Sequence, residues 1–171
     1  ANWKKLFPNS IILNGDYGFP RDYAEYPYGF YKECNAKDCG DFIYFPIQSL
    51  DKRLKAKTRV IAVNTDKKQK AYVIENFDSP TIINELIGGI HHSVIISGID
   101  NLAVAYETKS PLKINQWNIE DGIILLEDNS GNLWNILGRS KEGSTESLKQ
   151  AQAFISYWFS QAAFYPDTKI F

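Results

Sequence analysis

Between residues 58 and 137 the apolar positions fall into short runs rich in β-branched and aromatic residues, each closed by a polar or glycine-containing break. Arg59-Val-Ile-Ala-Val63, Lys70-Ala-Tyr-Val-Ile74, Ser93-Val-Ile-Ile-Ser97 and Leu102-Ala-Val-Ala-Tyr106 predict strands. Their boundaries are Asn64-Thr-Asp-Lys-Lys68, Gly88-Gly89, Gly98-Ile-Asp-Asn101 and Lys109-Ser-Pro111. Gly122-Ile-Ile-Leu-Leu126 and Leu133-Trp-Asn-Ile136 fit two more, joined at Asp128-Asn-Ser-Gly131, and Trp117 and Trp134 are placed on strands. Connections this short favour antiparallel pairing, because a parallel crossover needs a dozen residues or more. Residues 81–87 fit a helix or a strand. A different period governs residues 145–164, where Leu148, Ala151, Ile155, Trp158 and Ala162 recur at steps of three and four, broadened by Phe154 and Phe159. That stripe predicts one long helix capped by Ser144 or Thr145, with Glu146 at the positive end of its dipole and Pro166 as the stop.

The pattern therefore predicts an α+β fold, predominantly an antiparallel β-sheet with one long C-terminal helix packed on it. Residues 1–50, rich in Tyr, Phe, Pro and Gly, form an irregular segment against the β-rich residues 51–171, within one structural domain. At 171 residues the chain is long enough for a real core. Nineteen basic against 20 acidic residues leave a net charge of −1, so nothing drives nucleic-acid binding. Apolar runs stop at about four residues, as in Ile123-Ile-Leu-Leu126, far short of a membrane span. With no Met in the sequence, the expectation is a processed chain or a fragment.

Candidate chemistry is sparse. Cys34 and Cys39 have the spacing of a small disulfide loop; free thiols are the next reading and a metal the last, since no further ligand lies nearby. A disulfide would imply an oxidising compartment. His91-His92 is the one histidine pair, and neighbouring side chains on a strand face opposite ways, so at most one serves a given pocket. A metal or hydrolytic role would need His92 or His91 with carboxylates such as Glu85, Asp100 or Glu107; a solvated or hydrogen-bonded histidine is the plainer reading. Ser97, Asp100 and His92 could in principle form a triad, but no nucleophile elbow surrounds Ser97, and a tight turn explains Gly98 and Asp100. Gly15, Gly18, Gly88 and Gly89 lack the setting of a phosphate loop, and residues 138–143 suit a surface hairpin turn. The aromatic series Tyr17, Phe19, Tyr23, Tyr26, Tyr28, Phe30 and Tyr31 is either a platform for a sugar, peptide or protein partner or an anchor for an irregular segment.

One echo runs through the chain. Leu6-Phe-Pro-Asn-Ser-Ile-Ile-Leu13 matches Phe164-Tyr-Pro-Asp-Thr-Lys-Ile-Phe171 position by position, as if the tail of one repeat unit opened the chain and the tail of the next closed it. With that echo, a series of blocks resembles Domain of Unknown Function 3179: Phe19-Pro-Arg-Asp-Tyr23, Tyr26-Pro-Tyr-Gly-Phe-Tyr31, Phe45-Pro46, Asp51-Lys-Arg-Leu54, Asn84-Glu-Leu-Ile-Gly-Gly89, Gly131-Asn-Leu-Trp134 and Tyr165-Pro-Asp-Thr-Lys-Ile170. The resemblance implies a prokaryotic protein that usually carries an export signal and has no established activity. It also implies two related halves, the first with a Cys-Pro-Leu-Cys motif preceded by a His-Glu pair. Here those cysteines fall on Ser97 and Asp100 and the His-Glu pair on Pro80 and Thr81, so the chain is similar to the second half. The expectation is an extracytoplasmic, non-catalytic β-rich domain without a metal or other cofactor, whose partner is a protein or the preceding homologous half. The alternative is an enzyme built on the histidine pair.

Overall fold

Strands without apolar–polar alternation need cover on both faces, and the layering of this protein supplies it. The computed structural model describes residues 2–11, 18, 28–32, 41–141, 143 and 146–171. In chain order the elements are α1 (Asn2–Leu6), β1 (Arg59–Asn64), β2 (Gln69–Val73), β3 (Thr81–Ile87), β4 (Ile90–Ser97), β5 (Leu102–Glu107), β6 (Leu112–Asn118), β7 (Ile123–Asp128), β8 (Leu133–Asn135), β9 (Lys149–Gln150), β10 (Ala153–Tyr157), α2 (Trp158–Phe164) and β11 (Lys169–Ile170). Single turns of 3₁₀ helix stand at Gly29–Lys32 and Ile74–Asn76.

Among the described residues the strands form three sheets, ordered β10-β1-β2-β11, β3-β4-β5-β9 and β6-β7-β8. Every pairing is antiparallel except β11 on β2. Ile61 and Val63 of β1 meet Val94 and Ile96 of β4, so the first two sheets share a core. On its other face β4 sends Ile95 toward Leu126 and Trp134 of the third sheet. Val60 and Ala62 on the second face of β1 pack on Trp158 and Ala162 of α2. The order is thus third sheet, second sheet, first sheet, helix, and it explains why β1 and β4 read as unbroken apolar runs. Asn84 fastens the second sheet to the third: its side-chain amide donates to the Leu112 carbonyl at 2.9 Å, and its side-chain carbonyl accepts from the Leu112 amide at 3.0 Å and from Ser93 Oγ at 2.6 Å.

The long helix over residues 145–164 does not form. Only Trp158–Phe164 is helical; the stretch before it is extended, first as β9 against β5 and then as β10 against β1. Helical spacing misled because the stripe joins two structures. Trp158 and Ala162, one turn apart, are buried as a helix requires, whereas Ile155 and Phe154 belong to the strand that completes β1's hydrogen bonding and remain 46% and 47% exposed. Pro166 does come just after the helix end, and the proposed caps Ser144 and Thr145 lie outside the described residues. Residues 81–87 are a strand, and a strand runs through Trp117 from Leu112.

Candidate functional site

The aromatic density of the N-terminal segment gathers into a surface. Tyr28, Phe30 and Tyr31 meet Phe42, Tyr44 and Phe45, with the Tyr31 and Tyr44 rings 4.8 Å apart, Phe42 and Tyr44 5.4 Å apart, and Phe30 stacked on Phe42 at 6.1 Å. Tyr17, Tyr23, Tyr26 and Phe19, grouped with them by sequence, lie outside the described residues, as do Cys34 and Cys39. Sequence reasoning missed Phe42, Tyr44 and Phe45 as binding residues; the aromatic spacing carried on past residue 31 was the signal for them.

Below this surface lies Lys57, which is buried. Its ammonium is 3.7 Å from the centre of the Tyr31 ring and 5.3 Å from that of Tyr157, and it donates to the Tyr31 carbonyl. Among the described residues no carboxylate pairs with it, and burial pulls its pKa below the usual lysine range. A cation held by ring faces and a carbonyl keeps the aromatic wall positioned from beneath. In the sequence Lys57 reads as one more charge among Lys52, Arg53, Lys55 and Arg59, so nothing marked it.

The histidine pair divides as its strand position dictates. His91 is exposed; His92 is buried, with Nδ1 donating to the Ile90 carbonyl at 2.9 Å. Glu85 on β3 and Glu107 on β5 stand directly across from His92, yet each carboxylate is engaged by a lysine. Lys70 Nζ is 2.5 Å from Glu85 and Lys149 Nζ is 2.6 Å from Glu107. The Tyr72 hydroxyl also donates to Glu85, and burial, followed by that contact, pushes its pKa far above the normal phenol range. Among the described residues no group of three or more His, Cys, Asp and Glu is placed to hold a metal ion.

Ser97 is five residues along β4 from His92, hence on the opposite face and about 17 Å away. The two do not meet. Ser97 Oγ instead donates to Asp100 at 2.6 Å, and Trp117 Nε1 donates to the same carboxylate oxygen at 2.9 Å. Both side chains are spent on the turn between β4 and β5, where Asn101 takes a positive φ of 53°. Residues 135–139 likewise make a tight turn, with Gly138 N donating to Asn135 O and Asn135 N to Arg139 O.

Two hollows flank these groups. One of about 280 Å³ is lined by Glu107, Lys109, Asp128, Trp134, Glu146 and Lys149. Asp128 is committed to its own turn: burial works to raise its pKa, but the Asn132 amides and the Ser130 backbone N–H outweigh it and hold the carboxyl below the usual range. The other, of about 360 Å³, lies between α1, β5 and β10 and is mainly apolar, with Leu6, Phe7, Val104 and Ile155 in its walls.

Comparison with known proteins bears on these residues at one point. The family described as a protein of unknown function (DUF3179) matches residues 1–168. The chain belongs to DUF3179. No curated protein and no solved structure matches it. Within the matched residues, Ser97 and Asp100 are bonded to each other as a turn brace.

The block Asp51-Lys-Arg-Leu54, one of those that resemble DUF3179, has a structural task here. Arg53 donates to the Thr168 carbonyl at 2.8 Å and the Pro166 carbonyl at 2.7 Å, pairs with Asp51 at 2.7 Å, and lies 5.0 Å from the Trp158 ring centre. The Arg53 hydrogen bond holds the Asp51 carboxyl below the usual range. A depressed native pKa adds stability above the ordinary carboxylate range, and that stability is lost as pH falls through the native value. The pair is partly exposed, so the effect is at most about 1 kcal/mol. Urea midpoints should fall between pH 6 and pH 3, and Asp51→Asn should fall less over that interval; equal slopes would remove Asp51 from the acid sensitivity.

Proposed function

We propose that this DUF3179 chain is a non-catalytic, extracytoplasmic β-rich domain that binds a protein partner as one part of a larger assembly. The observation that carries the reading is the aromatic surface: Tyr28, Phe30, Phe42, Tyr44 and Phe45 adjoin one another and are each between 43% and 74% exposed. Together they leave on the order of 500 Å² of ring surface in water, the scale of an interaction patch and not of scattered surface residues. Tyr and Phe are enriched at interface cores because they bring a large rigid area at little entropic cost. The division of His92 from Ser97 by strand parity supports a binding role over a hydrolytic one. The extracytoplasmic part rests on the family resemblance and on the proposed Cys34–Cys39 disulfide.

One preparation tests both parts. Isolated from its native source under non-denaturing conditions, the protein should run as an assembly heavier than the 19.5 kDa chain. Phe30→Ser with Phe45→Ser should release it at the chain's own mass without loss of thermal stability. Reduction should add about two mass units if Cys34 and Cys39 are joined. A native mass equal to the chain and indifferent to the double substitution would refute partner binding; an unchanged mass on reduction would refute the disulfide.

A further inference from the structure

Residues 150–166 hold no Asp, Glu, Lys, Arg or His, and β10 runs through them as an outer strand of the first sheet. A bare edge invites pairing with another chain unless a charge, a bulge or brevity blunts it. The other outer strands are blunted. β3, β9 and β11 carry Glu85, Lys149 and Lys169. β6 carries Lys113 and an irregularity between Ile114 and Gln116, and β8 is three residues long with Trp134 bridged to Ser140. β10, five uncharged residues in regular register with β1, has none of these devices.

The register tells which backbone groups β10 offers. Asn64 N donates to Gln152 O at 2.9 Å and Trp158 N to Thr58 O at 2.8 Å, so the hydrogen-bonded pairs with β1 fall at Gln152, Phe154, Ser156 and Trp158. The N–H and C=O of Ile155 and Tyr157 therefore point away from β1, as does the C=O of Ala153, whose own N–H is turned back to Ala151 O at 2.8 Å. Among the described residues no backbone group meets Ile155 N or Tyr157 N. The side chains are open as well: Phe154 and Ile155 are each nearly half exposed, and Ile155 stands beside the apolar hollow walled by Leu6, Phe7 and Val104.

This strand is complementary to itself. Laid antiparallel on a second copy about a twofold axis at Ile155, it gains a bond from each Ile155 N to the other Ile155 O and from each Tyr157 N to the other Ala153 O, and no existing bond is broken. Across that seam Ile155 meets Ile155, Phe154 meets Ser156 and Tyr157 meets Ala153, so each ring faces a small side chain and no charges oppose. A seam centred on Phe154 would call on Ala151 O, which already accepts from Ala153 N, and one centred on Ser156 would set Phe154 against the start of α2. We propose that β10 is a self-association edge, where two copies of the chain pair antiparallel over Ala153–Tyr157, centred on Ile155, and join their first sheets into one. The pairing uses none of Tyr28, Phe30, Phe42, Tyr44 and Phe45, so it goes beyond the partner reading. Five paired residues a side make a small interface, so the dissociation constant should be on the order of 100 µM and a dilute isolate should hold single chains.

Sedimentation of the full chain, from well below that concentration to well above it, is the test. The mass should rise from 19.5 kDa toward twice that value. Ile155→Lys sets two ammonium groups against each other at the axis and should hold the chain at its single mass throughout, melting within about 3 °C of the parent. Amide exchange should slow at Ile155 and Tyr157 as concentration rises, with Phe154 and Ser156 protected at every concentration. Ile155→Cys should oxidise to a dimer linked from residue 155 to residue 155, because the paired Cα atoms would lie about 5.5 Å apart. Ala153→Cys should not, its twin being roughly 14 Å away. A mass that never rises overturns the proposal. So does a dimer that survives Ile155→Lys, or protection that misses Ile155 and Tyr157; should Ile155→Lys fail to fold, the exchange pattern and the 155–155 link decide. Phe30→Ser with Phe45→Ser should leave the dimer in place, and a dimer lost with that pair would belong to the aromatic surface and overturn the edge. If the edge dimer forms while the native isolate shows no partner, the partner reading fails and the edge stands.

Discussion

Trp158→Ala should cost about 3–5 kcal/mol, the range for emptying a fully buried large aromatic site. Trp158 is completely buried and closes the outer face of the first sheet, touching the layer formed by Val60, Ala62, Ala71 and Val73. Its backbone amide donates to Thr58 at 2.8 Å, so the ring stays anchored over the sheet and neighbouring groups cannot collapse into the space. Arg53 loses the ring it rests on, and with it part of the support for the Pro166 and Thr168 carbonyls. Urea denaturation measures the loss. Trp3→Ala is the comparison: Trp3 is 57% exposed, and its removal should cost less than about 1 kcal/mol. Equal losses at the two sites would mean that α2 does not form a packed fourth layer.

Gly98→Ala should be nearly as damaging, about 3 kcal/mol, through a different cause. A Cβ at Gly98 would lie 2.6 Å from the Ile74 carbonyl oxygen and 2.9 Å from that of Phe77. Both oxygens are backbone atoms, and the Phe77 oxygen already accepts from Gly98 N at 2.9 Å, so neither can swing aside as a side chain would. Relief requires moving the end of β4 away from the turn after β2, which opens the interface of the first two sheets. Gly131→Ala separates this from backbone conformation: Gly131 has φ of +82° and nothing within 4 Å of its Cβ position, so only the left-handed penalty of about 1–2 kcal/mol applies. Thermal unfolding of both variants should rank Gly98→Ala well below Gly131→Ala; the reverse order would place the close approach elsewhere.

The parts of the fold legible in the sequence were those in which local composition and final environment agree. β1, β4, β5 and β7 are β-branched runs ended by turn residues, and strands form at all four places, with β4 beginning three residues before the run at Ser93, at Ile90. The failure at residues 145–164 has a definite origin. Whether Ile155 continues a helix or pairs with Ile61 depends on an edge of β1 left open by residues almost a hundred positions earlier, and no local period records that vacancy. β3 was undecided for a related reason: its burial is mixed, so neither period dominates. At the candidate surface the density of Tyr and Phe was plain, but its grouping with Phe42 and Tyr44 and its support by Lys57 required the fold. Strand parity did separate His91 from His92 from sequence alone, and the same parity parts His92 from Ser97.

The first sheet has a bearing on how the chain is made. Its inner strands come from residues 59–73, and both strands flanking them come from the last nineteen residues. Pairs such as Arg59 with Tyr157 and Lys70 with Lys169 close loops of about a hundred residues, the kind of contact that slows folding most. During synthesis β1 and β2 can form a hairpin as soon as both are made, but both of its edges stay bare until β10 and β11 follow. The newborn chain therefore carries an open β-ribbon while the residues from β3 to β9 are made, and that interval is when association with other nascent chains competes with folding.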